Sequence, residues 1–287
     1  MNLARLKTYR IPATEQTYTA RDVMLYALGL GYGSDPGDAS DLRFVYEQGR
    51  EPLKTVPSLS VVLAHPGFWA RDPELEIDWV KILHGEQSFE VHKPLPPQGR
   101  VMGEYEIIAV DDKGADKGAV LYQDKRLFDV ESGDHLATVR TVLFLRGDGG
   151  CGSFGVPPAP PESLPAGEPE RDIAFATLPQ AALIYRLSGD YNPIHADPEA
   201  AEKAGLGRPI LHGLCTLGVA VRAAIEVVAK GDPDRLKAVS ARFSKPVYPG
   251  ETIRTEFYGD GEVVRFRARV VERGVIVLDR GLVSLVS

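Results

Sequence analysis

The residues best suited to chemistry lie in one short loop, which holds an acid (Asp190), an amide (Asn192) and an imidazole (His195). Gly189 and Pro193 interrupt regular structure within it. Residues five apart share neither a helical face nor a strand face, so Asp190 and His195 converge only if the chain between them turns. The pattern indicates an acid–base loop. The same side chains also suit a complicated turn that satisfies its own backbone groups, and the residues alone leave both interpretations open.

A helix is predicted on the far side of this loop. Asp197 is a capping residue, Pro198 suits the first helical position, and Gly205 is typical of a helix end. The loop is therefore expected to be anchored by a short helix with well-marked ends.

A second helix is predicted from the apolar run Ile210–Val221, whose many small residues favour tight packing against a sheet. Gly213 lies near its start, where a backbone N–H has no intrahelical partner and the helix dipole is positive. Such an N–H can bind an oxyanion or a carbonyl oxygen. An acid–base pair beside this donor supplies the groups needed for chemistry at the α and β carbons of a thioester.

The stretch YRLSGDYNPIHADPEAA resembles the signature of the R-specific 2-enoyl-CoA hydratases, also called hydratase 2 or MaoC-like dehydratases. That signature is an aromatic residue, a spacer, a small residue and then G-D-x-N-P-[LIV]-H, with a further small residue downstream. The downstream PILHG segment is similar in residues and in distance. The matching residues are Gly189, Asp190, Asn192, Pro193, Ile194, His195, Ala201 and Pro209 to Gly213.

The resemblance implies an α+β double hot-dog fold, in which two long helices are each wrapped by antiparallel sheet and the halves form an intrachain pseudo-dimer. It implies reversible hydration of trans-2-enoyl-CoA to (3R)-3-hydroxyacyl-CoA, as in fatty acid β-oxidation. Asp190 and His195 would be the catalytic pair, Gly213 the oxyanion donor, and Asn192 would hold the loop or orient the water. The expected partners are an acyl-CoA thioester and water, with coenzyme A present only as part of the substrate. A hot-dog thioesterase and a non-catalytic acyl-CoA-binding protein are the alternatives.

An internal repeat supports two domains. The pattern K-P-x-x-P begins at Lys93 and again at Lys245, 152 positions apart (245 − 93). Upstream, the segment that begins at Tyr26 aligns with the one that begins at Tyr185, 159 positions apart (185 − 26). A loop insertion absorbs the difference between the two offsets. Each half then contains a helix, a strand entrance and β-rich sequence.

We predict an N-terminal domain at 1–146, a Gly/Pro-rich linker at 147–172 and a catalytic domain at 173–287. Eight strands are expected from alternating apolar residues. They are Gln87–His92, Val101–Asp111, Ala119–Asp129, His135–Arg146, Ala238–Pro246, Thr252–Gly259, Glu262–Arg273 and Val275–Val286.

The first half lacks the acid–base pair, because Gly31 aligns with Asp190 and Pro36 with His195. It resembles the non-catalytic half of two-domain hydratases, where the missing side chains open space for a bulky acyl tail. On that basis Gly31 is a candidate substrate-binding residue. The alternative is that the glycines here simply end the preceding helix.

The composition is ordinary for a globular protein, with 44% hydrophobic and 25% charged residues. The net charge of −7 argues against a nucleic-acid surface, so binding of CoA phosphates needs a local basic patch. The candidates are Arg208, Arg242 and Lys245, although exposed charges are more often simply solvated. His212, next to the proposed oxyanion donor, is a further candidate for substrate binding, and the alternative is that its side chain braces the loop.

No membrane span, signal peptide or peroxisomal address is predicted. The two cysteines, Cys151 and Cys215, form no disulfide framework, which favours a reducing cytoplasm. A homodimer of double hot-dog chains is the expected assembly.

No metal site is expected. A zinc site from Asp190, His195, Asp197 and His212 can be drawn, but its spacing matches no ligand template. The other four histidines show no partner pattern and are interpreted as structural. They are His65, His84, His92 and His135.

Overall fold

The computed structural model describes residues 1–286, and ten strands form one antiparallel sheet. The strands are β1 (Thr14–Tyr18), β2 (Ile82–Val91), β3 (Gly99–Asp112), β4 (Ala119–Asp129), β5 (His135–Leu145), β6 (Arg171–Ala176), β7 (Leu236–Phe243), β8 (Thr252–Tyr258), β9 (Val263–Val270) and β10 (Val275–Leu285). The α-helices are α1 (Leu3–Thr8), α2 (Ala20–Gly29), α3 (Leu42–Val45), α4 (Leu59–Val62), α5 (Ala181–Tyr185), α6 (Pro198–Lys203) and α7 (Gly213–Val227).

The strand order is a palindrome, β1-β3-β4-β5-β2 followed by β7-β10-β9-β8-β6. The two halves meet where β2 pairs with β7, and Ser88 lies opposite Ser240 at this junction. These serines are 152 positions apart (240 − 88), the same offset as the K-P-x-x-P repeat. The predicted α+β double hot-dog architecture, with the two halves paired inside one chain, is confirmed.

The aligned tyrosines of the repeat also meet at the junction of the halves. Tyr26 of α2 and Tyr185 of α5 are both fully buried, and their ring centroids are 5.5 Å apart. Residues that the repeat relates therefore face each other across the pseudo-two-fold axis.

All eight predicted strands are present, with ends that differ by a few residues. The two edge strands were not predicted, because β1 and β6 have only five and six residues, which is too short for a clear sequence signal. The predicted linker extends two residues too far, since Arg171 and Asp172 already pair with β8. Within the linker, Phe154 forms an isolated bridge with Val110.

Helix α7 is the centre of the C-terminal half. Every residue from Cys215 to Ile225 is buried, and a side chain at Gly218 would overlap Leu30. The buried Arg222 of α7 forms an ion pair with the buried Asp41 of the N-terminal half, with 3.1 Å between Nη2 and Oδ2. The helix is therefore fixed to both halves.

The expectation of a long helix in each half differs from the structure. In the N-terminal half a single turn, α4, lies against the sheet. The ammonium group of the buried Lys125 on β4 donates hydrogen bonds to the carbonyl oxygens of Ser60 (2.7 Å), Val61 (3.0 Å) and Leu63 (2.7 Å). The last carbonyl groups of a helix have no N–H partner within the helix. Here the side chain of Lys125, from strand β4, supplies the hydrogen bonds that a further helical turn would otherwise supply.

Candidate active site

The acid–base loop is built by local hydrogen bonds. Gly189 has φ of +125°, a conformation that favours glycine, and ends a 3₁₀ turn. The Asp190 carboxylate accepts the Asn192 N–H (3.1 Å), and the Asn192 amide oxygen accepts the Ile194 N–H (3.3 Å). Asn192 is exposed and caps the 3₁₀ turn Pro193–His195. The structure therefore gives Asn192 a role in holding the loop.

Helix α6 begins as predicted. The Asp197 carboxylate accepts the Glu199 N–H at 2.9 Å, and Pro198 is the first helical residue. Asp197 thus serves the helix end rather than the acid–base loop.

Asp190 and His195 converge as predicted. The distance from Asp190 Oδ2 to His195 Nε2 is 3.9 Å. That distance is too long for a direct hydrogen bond and suits one water-sized oxygen that contacts both groups. His195 Nδ1 donates to the Ile210 carbonyl at 2.9 Å, so Nε2 faces the acid with its lone pair.

His195 is neutral near pH 7. Only 6% of the residue is exposed, and burial lowers its pKa below the usual 6.5. The Ile210 carbonyl and the Asp190 carboxylate oppose this effect without reversing it. A neutral imidazole that presents Nε2 can accept a proton.

His212 supports both catalytic candidates. Its Nε2 donates to the Asp190 carbonyl oxygen (3.1 Å), and its ring stacks on the His195 ring with centroids 3.7 Å apart. Burial and the neighbouring His195 lower the pKa of His212 to about 4, so it is also neutral. The His212 imidazole thus holds the loop through the Asp190 carbonyl and restricts the orientation of the His195 ring.

Gly213 is the first residue of α7, directly after His212. The first backbone bond of the helix runs from the Thr216 N–H to the His212 carbonyl (3.0 Å), so earlier N–H groups have no intrahelical partner. A side-chain carbon on Gly213 would lie 3.3 Å from the Phe243 ring, so Phe243 limits the space beside this glycine. The N–H groups at the start of α7 therefore lie directly after His212, one of the two stacked histidines.

Two of the basic candidates lie near this site. Arg208 is exposed, and its guanidinium carbon lies 4.3 Å from the centroid of the Tyr248 ring. Lys245 is exposed and two residues before Val247, whose carbonyl accepts the Leu211 N–H (2.7 Å). Both cations therefore border the segment that carries His212 and Gly213.

Arg242 does not join them. It neighbours Phe243 on β7, and successive strand residues point to opposite faces of a sheet. Phe243 contacts Gly213, whereas Arg242 lines a cavity of about 310 Å³ beneath the linker residues Pro158–Pro161. This position does not support the prediction that Arg242 binds substrate beside Gly213.

The surroundings of Gly31 do not support the prediction that it opens space for an acyl tail. It is buried with φ of +87°, and a side-chain carbon there would lie 3.0 Å from Arg222 Nη1. Helix α2 ends two residues earlier, at Gly29. The alternative interpretation, that this glycine forms the turn after the helix, is the one the structure supports.

The potential metal ligands also differ from the set drawn from the sequence. Asp190, His195 and His212 each place a donor atom within 4.8 Å of the others, but Asp197 caps α6 instead. The two imidazole planes lie only 23° from parallel and one above the other. Because imidazole lone pairs lie in the ring plane, the stacked rings cannot both direct them at one ion.

The sequence interpretation missed His84. This residue of β2 lies close enough to Asp190 for the carboxylate to raise its pKa, although burial has the larger effect and lowers the pKa to about 4. Its ring contacts Phe243 edge-on, with centroids 4.9 Å apart. The adjacent Gly85, which lies at a bulge in β2, was the one local signal.

Comparisons with known proteins agree with these features. Residues 16–147 match the MFE-2 hydratase 2 N-terminal domain family, and residues 160–280 match the MaoC like domain family. Among solved structures, a MaoC-like dehydratase from Phytophthora capsici superposes with a TM-score of 0.88 at 35% identity, covering 100% of this chain and 99% of that one.

Curated relatives give the same picture. The chain is 40% identical to "Enoyl-CoA hydratase 2, peroxisomal" of Arabidopsis thaliana, over 95% of this chain and 92% of the relative. It is 39% identical to "3-hydroxyacyl-thioester dehydratase Y" of Mycobacterium tuberculosis, over 94% and 93%. "Peroxisomal multifunctional enzyme type 2" of Mus musculus is 35% identical over 97% of this chain, which spans 38% of that longer protein. The chain therefore belongs to the hydratase 2 family of MaoC-like dehydratases, and it is a hydro-lyase of the two-domain, double hot-dog type.

Proposed function

We propose that this enzyme catalyses the reversible hydration of trans-2-enoyl-CoA to (3R)-3-hydroxyacyl-CoA. The observation that carries the proposal is the Asp190–His195 pair, whose facing atoms lie 3.9 Å apart beside the N-terminus of α7. The names of the relatives support the reaction class, and the family resemblance supports the R configuration.

In the proposed mechanism Asp190 and His195 hold one water between them. One of the two groups accepts a proton from this water as its oxygen forms a bond to C3. The π electrons of the C2–C3 double bond move towards the thioester carbonyl, and the Gly213 N–H stabilises the charge on its oxygen. The proton taken from the water is then delivered to C2 by the pair, so that Asp190 is again a carboxylate and His195 a neutral imidazole after each turnover.

The test is substitution of the pair. We expect Asp190→Asn and His195→Gln each to lower kcat for crotonyl-CoA by about 10²–10⁴, and the double variant to be little worse, because the groups act as a unit. Loss of the enoyl absorbance measures the rate, and chiral chromatography of the product measures the configuration. Asp116→Asn and His92→Gln, at exposed positions, are the matched controls. Full turnover in either folded active-site variant would refute the mechanism.

Thioester hydrolysis is the competing chemistry in this fold. A putative oleoyl thioesterase from Lactobacillus plantarum superposes with a TM-score of 0.54 at 8% identity, which is a likeness of fold alone. Measuring free CoA thiol beside the enoyl absorbance separates the two reactions. Thiol release without hydration would identify a thioesterase. The absence of both thiol release and hydration would identify an acyl-CoA-binding protein.

We further propose that Arg208 and Lys245 attract the phosphates of coenzyme A, because both are exposed cations that border the His212–Gly213 segment. Arg208→Gln is expected to raise KM for crotonyl-CoA several-fold and to spare a crotonyl thioester that lacks the nucleotide. Arg242→Gln, on the other face of the sheet, is the control. An unchanged KM for the Arg208 variant, or an equal rise for both thioesters, would contradict the assignment.

No helix among residues 1–286 is long and apolar enough to cross a membrane. Both cysteines in this range are free, which supports a reducing compartment. The cytoplasm and a homodimer of whole chains remain our proposals, and several relatives carry peroxisomal names. Fractionation of the native host and light scattering of the purified protein test them.

A further inference from the structure

A chain of contacts connects the non-catalytic half to the start of α7. The Gln87 amide nitrogen donates to the Arg140 carbonyl (2.8 Å), and its oxygen accepts from the Thr141 hydroxyl (3.1 Å). This fixes the amide orientation, and the same oxygen accepts a hydrogen bond from His84 Nε2 (3.0 Å). Gln87 itself is only 2% exposed. The polar end of His84 is therefore held by the sheet of the N-terminal half.

The other end of His84 contacts the catalytic half. Its ring lies edge-on to Phe243, at an interplanar angle of 70° and a centroid distance of 4.9 Å. Phe243 in turn lies against Gly213, where an added side-chain carbon would be 3.3 Å from two ring atoms. His84 and Phe243 thus fill the space between the N-terminal sheet and the first residue of α7.

The backbone of β2 accounts for the position of His84. The register of β2 against β5 shifts between His84 and Glu86, and such a bulge changes the direction of the side chains beside it. At Gly85 an added side-chain carbon would be 3.3 Å from Phe144, so the bulge leaves little room for a larger residue. The irregularity turns His84 towards the helix side of the sheet, where Phe243 also lies.

We propose that His84 and Phe243 are positioning residues, which together hold the Gly213 N–H in place for the thioester oxygen. The inference rests on the proposed function, because it takes Gly213 as the oxyanion donor. It assigns the half without an acid–base pair a part in the reaction: its sheet supports the helix end that stabilises developing charge. Neither residue is required to touch the substrate.

Carbonyl polarisation tests this idea directly. An oxyanion donor lowers the stretching frequency of a bound thioester carbonyl, and a displaced donor lowers it less. Crotonyl-CoA labelled with ¹³C at the carbonyl would be bound to the Asp190→Asn variant, in which we expect slow turnover, and examined by isotope-edited infrared difference spectroscopy. We expect a clear downshift in this background, and loss of about half of it or more on adding His84→Ala or Phe243→Leu. His92→Ala, an exposed histidine of the same half, should keep the full downshift.

The outcomes separate the two hypotheses. A downshift in the Asp190→Asn background that survives both added substitutions unchanged would overturn the positioning role and leave the proposed function standing. No downshift in the background would overturn the Gly213 assignment, and with it this inference. If His84→Ala lowers the melting temperature strongly, His84→Gln replaces it, because a glutamine can keep the hydrogen bond to Gln87 without the ring contact to Phe243.

Steady-state kinetics give an independent readout in the presence of Asp190. We expect either single substitution to lower kcat about 10-fold and to leave KM within about twofold, since a transition-state interaction is weakened more than binding. The double variant should fall little further than the singles, because both act through one contact. Additive losses, or a rise in KM with kcat unchanged, would contradict the proposal.

Discussion

At the scale of single residues, the site depends on histidines that burial keeps neutral. His195 and His212 stack on each other, and each donates a hydrogen bond from one ring nitrogen to a backbone carbonyl. The spacing of Asp190, His195 and Gly213 made these residues predictable from the sequence. His84 and Phe243 were not. His84 lies outside the predicted strand Gln87–His92, Phe243 lies inside a predicted strand with no sign of function, and the contacts of His84 with Phe243 and of Phe243 with Gly213 form only after long-range pairing.

We predict that the hydratase activity falls at acidic pH. His195 must be neutral to accept a proton, and its pKa lies below 6.5 because of burial. A plot of kcat/KM against pH should therefore be level above pH 6.5 and fall with an apparent pKa lower than that value. An acidic limb with its midpoint above 6.5 in a stopped-flow or absorbance assay would contradict the requirement for a neutral His195.

The stability of the folded protein should also fall at acidic pH. The folded protein holds the pKa of His212 at about 4, whereas an unfolded histidine titrates near 6.5. Between these values the unfolded chain binds more protons, so the free energy of unfolding decreases as pH drops from 6.5 towards 4. Urea unfolding at pH 7 and pH 5 measures the decrease. His212→Asn should make it smaller, and an unchanged difference would exclude His212 as a source.

At the scale of elements, contacts distant in sequence decide which helices form. Helix α7 is long, apolar and predictable from its own residues. Helix α4 was not, and the carbonyl groups at its end are bonded by Lys125, more than sixty residues away on β4. No local signal reports a cation that will occupy the end of a helix. The same limit hid the Asp41–Arg222 pair, which joins α7 to the N-terminal half.

We predict that Asp41→Asn destabilises the protein by about 3 kcal/mol, because it leaves the buried Arg222 guanidinium without a counter-charge. The Asp41 carboxylate also accepts the Gly33 N–H (2.8 Å), so the turn after α2 should loosen as well. Urea unfolding against the exposed-site control Asp116→Asn measures the change. A difference below about 0.5 kcal/mol would show that the pair contributes little.

At the scale of the whole molecule, the repeat predicted the architecture. The offset between the K-P-x-x-P patterns reappears as the Ser88–Ser240 pairing at the centre of the sheet. The exact ends of the linker and both edge strands escaped prediction, because a short strand is stabilised by its partner more than by its own sequence.

We predict that the C-terminal half alone, Arg171–Ser287, is insoluble or nearly inactive, although it carries Asp190, His195 and Gly213. Without the N-terminal half, β7 loses its pairing with β2 and becomes an exposed edge, which invites aggregation. Co-expression with Met1–Arg146 should restore part of the hydratase activity. A soluble, monomeric and fully active C-terminal half would show that the pseudo-dimer is not needed for catalysis.

The palindromic sheet also has a genetic consequence. In a homodimer of identical single hot-dog chains, every codon change appears at both symmetry-related places. Here each codon specifies one place, so a substitution in the half without Asp190 and His195 leaves the reactive loop as it was. The two halves can therefore diverge independently, and a preparation carries one reactive loop for each 31.2-kDa chain. A slow, stoichiometric inactivator should accordingly abolish activity after one equivalent per polypeptide.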